Sequence, residues 1–93
     1  MPVAFDERQA WALDHRVALR PESFGALAYH FGTRRLSFLK HPKLVDVVQA
    51  LGDYPTAAEA YEAVGVQDGQ RQAFDKALTT LVDSGMIVQR VSG

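Results

Sequence analysis

The sequence predicts an α+β domain in which a three-stranded antiparallel sheet is followed by three helices. Three observations carry this expectation. Apolar residues alternate with period two between His15 and Leu39, as half-buried strands require. From Pro42 onward they recur three and four residues apart, as helices packed on one face require. Glycines, prolines and a capping sequence stand at the joints between these runs. Strands then helices in one small chain give a winged-helix-like arrangement of two layers.

Residues 1–14 are a lead-in with no clear pattern, and residues 15–41 form the three-stranded meander. In His15–Arg20, Val17 and Leu19 share one face and Arg16 and Arg20 the other; Pro21 ends the run because it has no N–H to give a ladder. A second alternation follows Gly25, with Leu27, Tyr29 and Phe31 on one face and Ala26, Ala28 and His30 on the other. Gly32-Thr33 signals a tight turn, after which Arg34–Leu39 returns as the third strand. On it, Leu36, Phe38 and Lys40 share a face that can pack on the helices, which leaves Leu39 on the other in need of cover, unless Leu39 is itself core.

Residues 42–85 hold the helices. Pro42 suits a first helical turn, where an N–H is not needed, and Leu44, Val45, Val47, Val48 and Leu51 make the apolar stripe that Gly52 closes. Thr56-Ala57-Ala58-Glu59 is a capping box for a helix over Ala57–Val64 that stops at Gly65. The third helix runs from Gln70 to Ser84, with Phe74, Ala77, Leu78, Leu81 and Val82 on one stripe and Gly85 in the left-handed position beyond it. Residues 86–91, Met86–Val91, form a last short extended segment, which is one candidate to cover a sheet edge.

Length and composition bound the function. The 93 residues, 47% apolar and 23% charged, make one soluble domain with room for a single core. It cannot house a cofactor domain beside a substrate domain. There is no cysteine, so the chain brings no disulfide, thiolate zinc site, iron–sulfur ligand or thiol nucleophile of its own. No apolar run approaches the roughly 20 residues that span a bilayer, and no signal-peptide core follows Met1–Phe5. A cytoplasmic protein that binds no membrane is the expectation.

Charge is unevenly placed. Residues 15–43 carry Arg16, Arg20, Arg34, Arg35, Lys40 and Lys43 against Glu22 alone, a local charge of +5, whereas residues 44–93 carry −4 and the whole chain −1. Either the two halves attract within the fold, or the basic half meets an acidic ligand. Nucleic acid is a poor fit, because phosphate contacts dominate its affinity. On the third helix and its cap, Arg71 and Lys76 are outnumbered by Asp68, Asp75 and Asp83. A winged-helix DNA-binding regulator is the alternative function that this charge argues against.

Signs of catalysis are weak. His15, His30 and His41 are not spaced as metal ligands, and the carboxylates are scattered over helix surfaces. No nucleophile elbow, phosphate loop or dinucleotide fingerprint is present. No enzyme activity, metal or cofactor is expected. Peptide binding by strand addition fits better, since a three-stranded meander has an edge that templates another chain.

The run Arg20-Pro21-Glu22-x-Phe24-Gly25-Ala26-Leu27-x-Tyr29, followed by Arg34-Arg35-Leu36-x-Phe38-Leu39, resembles the family of mycofactocin-system peptide-binding chaperones. These are stand-alone relatives of the chaperone of pyrroloquinoline quinone biosynthesis, within the class of precursor-peptide recognition elements. The resemblance extends from Trp11 to about Val88. It implies a noncatalytic protein that binds the leader of a ribosomally made precursor peptide and delivers it to a radical S-adenosylmethionine enzyme. By position, the leader would add as a strand beside Arg35, Leu36, Ser37, Phe38 and Leu39, in a groove shared with Arg71, Phe74, Asp75 and Leu78. Arg34, Arg35 and Lys40 would then steer an acidic leader. On this reading Leu39→Asp abolishes binding and leaves the fold intact, and the chain is a monomer or, through its open edge, a weak dimer.

Overall fold

The computed structural model describes residues 4–90. Residues 1–3 and 91–93, including the expected end of the last segment at Val91, lie outside the described residues.

The lead-in contains a strand that the sequence does not announce. β1 (Trp11–Leu13) precedes the meander of β2 (Val17–Glu22), β3 (Gly25–His30) and β4 (Leu36–Leu39). The meander is an antiparallel sheet in the order β2-β3-β4. Pro21 does not end β2: it pairs with Ala26 inside the ladder. β2 is an edge strand, and there a residue without an N–H costs no sheet bond.

The register decides which face becomes core. Ala26 sits opposite Leu39 and Ala28 opposite Ser37, while Leu27 sits opposite Phe38 and Tyr29 opposite Leu36. Ala26, Ala28 and Leu39 are each 1% exposed, so their face packs on the helices. The small alanines let the helical layer approach closely. Leu36 and Phe38 point to the other side, 56% and 60% exposed. The expectation that they pack on the helices while Leu39 is uncovered is therefore reversed, and the alternative that Leu39 is core holds.

Two devices fix the hairpin turns. A Cβ on Gly25, where φ is +150°, would lie 2.1 Å from the Leu39 carbonyl oxygen, so only glycine allows β3 to start against the end of β4. At the β3–β4 turn the left-handed residue is Arg34, with φ of +62°. There the buried His30 ring does the organising: its Nδ1 accepts the backbone N–H groups of Gly32 and Thr33, each at 3.0 Å.

The other ring nitrogen of His30, Nε2, faces Asp14 Oδ2 at 3.8 Å. Asp14 also accepts from the backbone N–H of Arg16 at 2.8 Å and from its guanidinium at 3.2 Å. These bonds from Arg16, side chain first, hold the Asp14 carboxyl at about 2, below the ordinary 3.8. A carboxyl lowered in the folded state stabilises the fold above its unfolded value, and that contribution disappears as pH falls through the folded value. Between about pH 4 and pH 2 the melting temperature of the wild type is thus expected to fall more steeply than that of Asp14→Asn. Parallel melting curves for the two proteins would show that Asp14 carries no such contribution.

The helical layer follows the predicted punctuation closely. In α1 (Pro42–Ala50) the His41 Nδ1 caps the start by accepting the Lys43 N–H at 3.1 Å. A 3₁₀ turn over Leu51–Asp53 carries the chain through Gly52 rather than stopping at it. α2 (Ala57–Val64) opens with Thr56 Oγ1 accepting the Glu59 N–H and ends at Gly65, where φ is +92°. α3 (Asp68–Asp83) begins two residues before the expected Gln70, because Gln67 gives its N–H to Gln70 Oε1 at 3.2 Å and caps an earlier turn. After Gly85, β5 (Ile87–Gln89) pairs antiparallel with β1, Trp11 opposite Gln89. The last segment therefore closes a separate two-stranded sheet and does not cover β4. Trp11, Val47, Leu51, Tyr61, Leu78 and Ile87 are at the centre of the core, each 0–1% exposed.

Candidate functional site

β4 is the outer strand of its sheet, and among the described residues no strand pairs with its far edge. Hydrogen-bonded pairs alternate along an antiparallel ladder. His30 donates its N–H to the Arg35 carbonyl at 3.0 Å, so Arg35, Ser37 and Leu39 turn their backbone groups toward β3. Leu36 and Phe38 turn theirs to the open edge. Two N–H and two C=O groups stand there ready for another chain.

That edge opens on a groove of about 380 Å³. One wall is Leu36–Lys40; the other is Leu44 of α1 with Ala77, Thr80 and Leu81 of α3. Leu39, Leu44 and Leu81 are 1%, 7% and 4% exposed and make an apolar floor. Arg34, Arg35 and Lys40 are exposed at its strand side, and among the described residues none of them lies in an ion pair. The site offers backbone pairing, apolar pockets and free positive charge. It holds no group arranged for bond-making, and among the described residues no three His, Asp or Glu side chains gather as metal ligands.

The α3 residues expected at the groove are placed elsewhere. Leu78 is wholly buried and Phe74 6% exposed. Phe74 meets the His41 ring edge-on at 5.7 Å and the Tyr61 ring at 6.2 Å, and it does not line the groove. Arg71 bridges to Glu7 at 3.0 Å and stacks over the Tyr61 ring at 5.4 Å. Asp75 accepts the Tyr61 hydroxyl at 2.6 Å. Burial, then Asp75, pushes the Tyr61 hydroxyl above its ordinary range, and burial with Asp75 beside it raises the Glu7 carboxyl. This cluster ties the lead-in to α2 and α3.

The groove wall is instead Ala77, Thr80 and Leu81, the next turn along α3, together with Leu44. Ala77, Leu81 and Leu44 lie on the apolar stripes visible in the sequence; nothing there says which part of a stripe meets β4. A second depression of about 430 Å³ lies between β5 and the end of α3, lined by Trp11, Val82, Asp83 and Val88 among others. It is slightly larger, but β5 has three residues and the lining includes an acid and no cation, so it offers an extended chain less.

Comparison with known proteins covers this whole region. Residues 10–88 match the profile of the peptide chaperone MftB family. The chain is 52% identical over 86 residues to the protein named peptide chaperone MftB of Mycolicibacterium smegmatis, spanning 92% of this chain and 84% of that one. It is 49% identical over 86 residues to the protein of the same name from Mycobacterium tuberculosis, spanning 92% and 79%. With that of Mycobacterium ulcerans it shares 48% over 85 residues, spanning 91% and 78%. No solved structure matches the chain.

Proposed function

The chain belongs to the MftB peptide chaperone family, and from that premise we propose that it is a noncatalytic chaperone of mycofactocin biosynthesis. It binds the leader of a ribosomally made precursor peptide by strand addition at β4 and delivers it to a radical S-adenosylmethionine enzyme. The observation that carries this reading is the open edge of β4 above an apolar groove. We take the sheet and three helices as the winged-helix-like form of a recognition element, acting in the cytoplasm as a monomer or weak dimer. No described helix is long and apolar enough to cross a membrane.

The energetics are those of a transient carrier. About four to six backbone bonds along Leu36–Lys40, each ~0.5–1.5 kcal/mol net, give a few kcal/mol with little dependence on sequence. Leader residues opposite Ser37 and Leu39 turn inward, and two or three buried apolar side chains add ~1.5–3 kcal/mol each and choose the register. Ordering a disordered leader takes back several kcal/mol. The balance is a Kd on the order of 0.1–10 μM, tight enough to capture and loose enough to release.

Calorimetric titration with a synthetic precursor peptide, beside one lacking the leader, tests the proposal. Binding of the full peptide alone is the expected result; equal binding of both, or of neither, removes it. The cations provide a second check. Arg34→Glu with Arg35→Glu is expected to weaken leader binding more at low salt than at high, because exposed charges act through a screened field. A loss independent of salt would assign those side chains a contact role instead of steering.

A further inference from the structure

The open face of the sheet carries an apolar surface that the groove shares only through Leu36 and Phe38. Leu27 and Tyr29 point outward from β3, opposite Phe38 and Leu36 of β4. Phe24 packs on Phe38 with ring centroids 6.0 Å apart, and Phe31 meets Tyr29 edge-on at 5.0 Å. Phe31 is 63% exposed and Phe24 38%. Single exposed apolar residues are ordinary, but a joined aromatic patch marks an interaction surface. Aromatic residues and arginine are also what the centres of protein interfaces concentrate.

Charge selects the occupant. Arg20, Arg34, Arg35 and Lys40 are all exposed on the strands and turns that frame this face. Among the described residues only Arg20 has a carboxylate near it, Glu22 at 3.3 Å. A second copy docked by two-fold symmetry would set this basic rim against itself, which like-charge repulsion disfavours. A polyanion such as nucleic acid would engage the cationic rim through its phosphates but leave the exposed aromatic centre of Phe24, Phe31 and Phe38 in water. The complement is a folded protein whose apolar patch is ringed by carboxylates.

We propose that the open face of the β2-β3-β4 sheet docks the peptide-modifying enzyme through such an acid-ringed apolar patch. This rests on the function proposed above and extends it, because the two surfaces adjoin. A leader strand paired with Leu36 and Phe38 places every second side chain beside theirs on the open face. The enzyme therefore meets chaperone and leader as one continuous surface. Peptide strengthens enzyme docking, and by linkage the enzyme strengthens peptide binding by the same factor.

The test uses the full chain, the purified radical S-adenosylmethionine enzyme and the synthetic precursor peptide. Phe24→Ser with Phe31→Ser changes two exposed residues outside the groove. This variant is expected to keep the wild-type melting transition and to bind peptide within about twofold of wild type. It loses at least about 30-fold in enzyme affinity, the loss typical of an interface anchor. Phe24→Leu with Phe31→Leu keeps most of that affinity, and the wild type binds the enzyme more tightly with peptide present. Unchanged enzyme binding by the serine variant overturns the proposal. So does a wild-type dimer that the serine variant abolishes, since a second copy would then occupy the face. A wild type that binds the enzyme but no peptide overturns instead the function on which the proposal rests, and the peptide titration reads that outcome separately.

Discussion

Leu39→Asp is expected to leave a largely unfolded chain, and its loss of peptide binding to follow from that. Leu39 is 1% exposed, paired with Ala26 and set beneath the groove against Leu44 and Leu81. Removing a buried leucine side chain costs about 2–5 kcal/mol. A carboxylate put in its place has no cation among these neighbours and adds a further penalty of about 2 kcal/mol or more, even if it takes up a proton. A domain has about 5–15 kcal/mol in all, and a small one sits near the lower end. Leu36→Asp is the matched control: its side chain is 56% exposed, so the fold survives and any change in peptide binding belongs to the site. Far-ultraviolet dichroism with thermal melting reads both variants. A cooperative Leu39→Asp transition within a few degrees of wild type would mean that Leu39 is not part of the core.

That reversal at Leu39 shows what the sequence made legible and what it did not. Periodicity located β2, β3 and β4 and separated their two faces. Both faces of β4 carry apolar residues, however, with Leu36 and Phe38 on one and Leu39 beside Ser37 on the other. Alternation makes the Leu36 and Phe38 face look like the inner one, and the choice falls to register. Here the pairing with β3 places Leu39 beside Ala26, the small-residue face that lets helices approach. Hydrophobicity alone would bury the richer aromatic face, and the structure leaves it open.

Local signals performed best. Thr56 and Gly65 bound α2 at the predicted residues because a cap and a left-handed glycine act within one turn of chain. β1 was not legible for the opposite reason. It has three residues and pairs with β5 from the far end of the chain, so no local pattern records it. The site divides the same way. Of the candidate groove, the strand wall from Leu36 to Lys40 could be named from sequence. The facing turn of α3 could not, since Phe74, Ala77, Leu78 and Leu81 share one stripe. Which of them meets β4 depends on how α3 lies against the sheet.

Strand addition itself makes a sharp prediction, because neighbouring residues of β4 turn their N–H groups in opposite directions. The Phe38 N–H faces the open edge, so in the free protein Phe38→Pro removes no sheet bond, and edge strands tolerate proline. The Ser37 N–H faces β3, opposite Ala28, so Ser37→Pro breaks the ladder and leaves a backbone carbonyl unpaired, at a cost of about 1–3 kcal/mol. Phe38→Pro is thus expected to melt within a few degrees of wild type, and Ser37→Pro far below it. Leader binding should separate Phe38→Pro from Phe38→Ala. Both lose the aromatic ring, but only proline also deletes a donor and sets its ring carbons where the incoming backbone must lie. A net hydrogen bond of ~0.5–1.5 kcal/mol together with that obstruction predicts binding at least about 10-fold weaker for Phe38→Pro than for Phe38→Ala. Equal affinities would mean that the leader reaches the groove without pairing to β4, held by its side chains alone. Recognition would then depend on leader sequence far more than an added strand allows, and the chaperone would discriminate among peptides by their pocket residues.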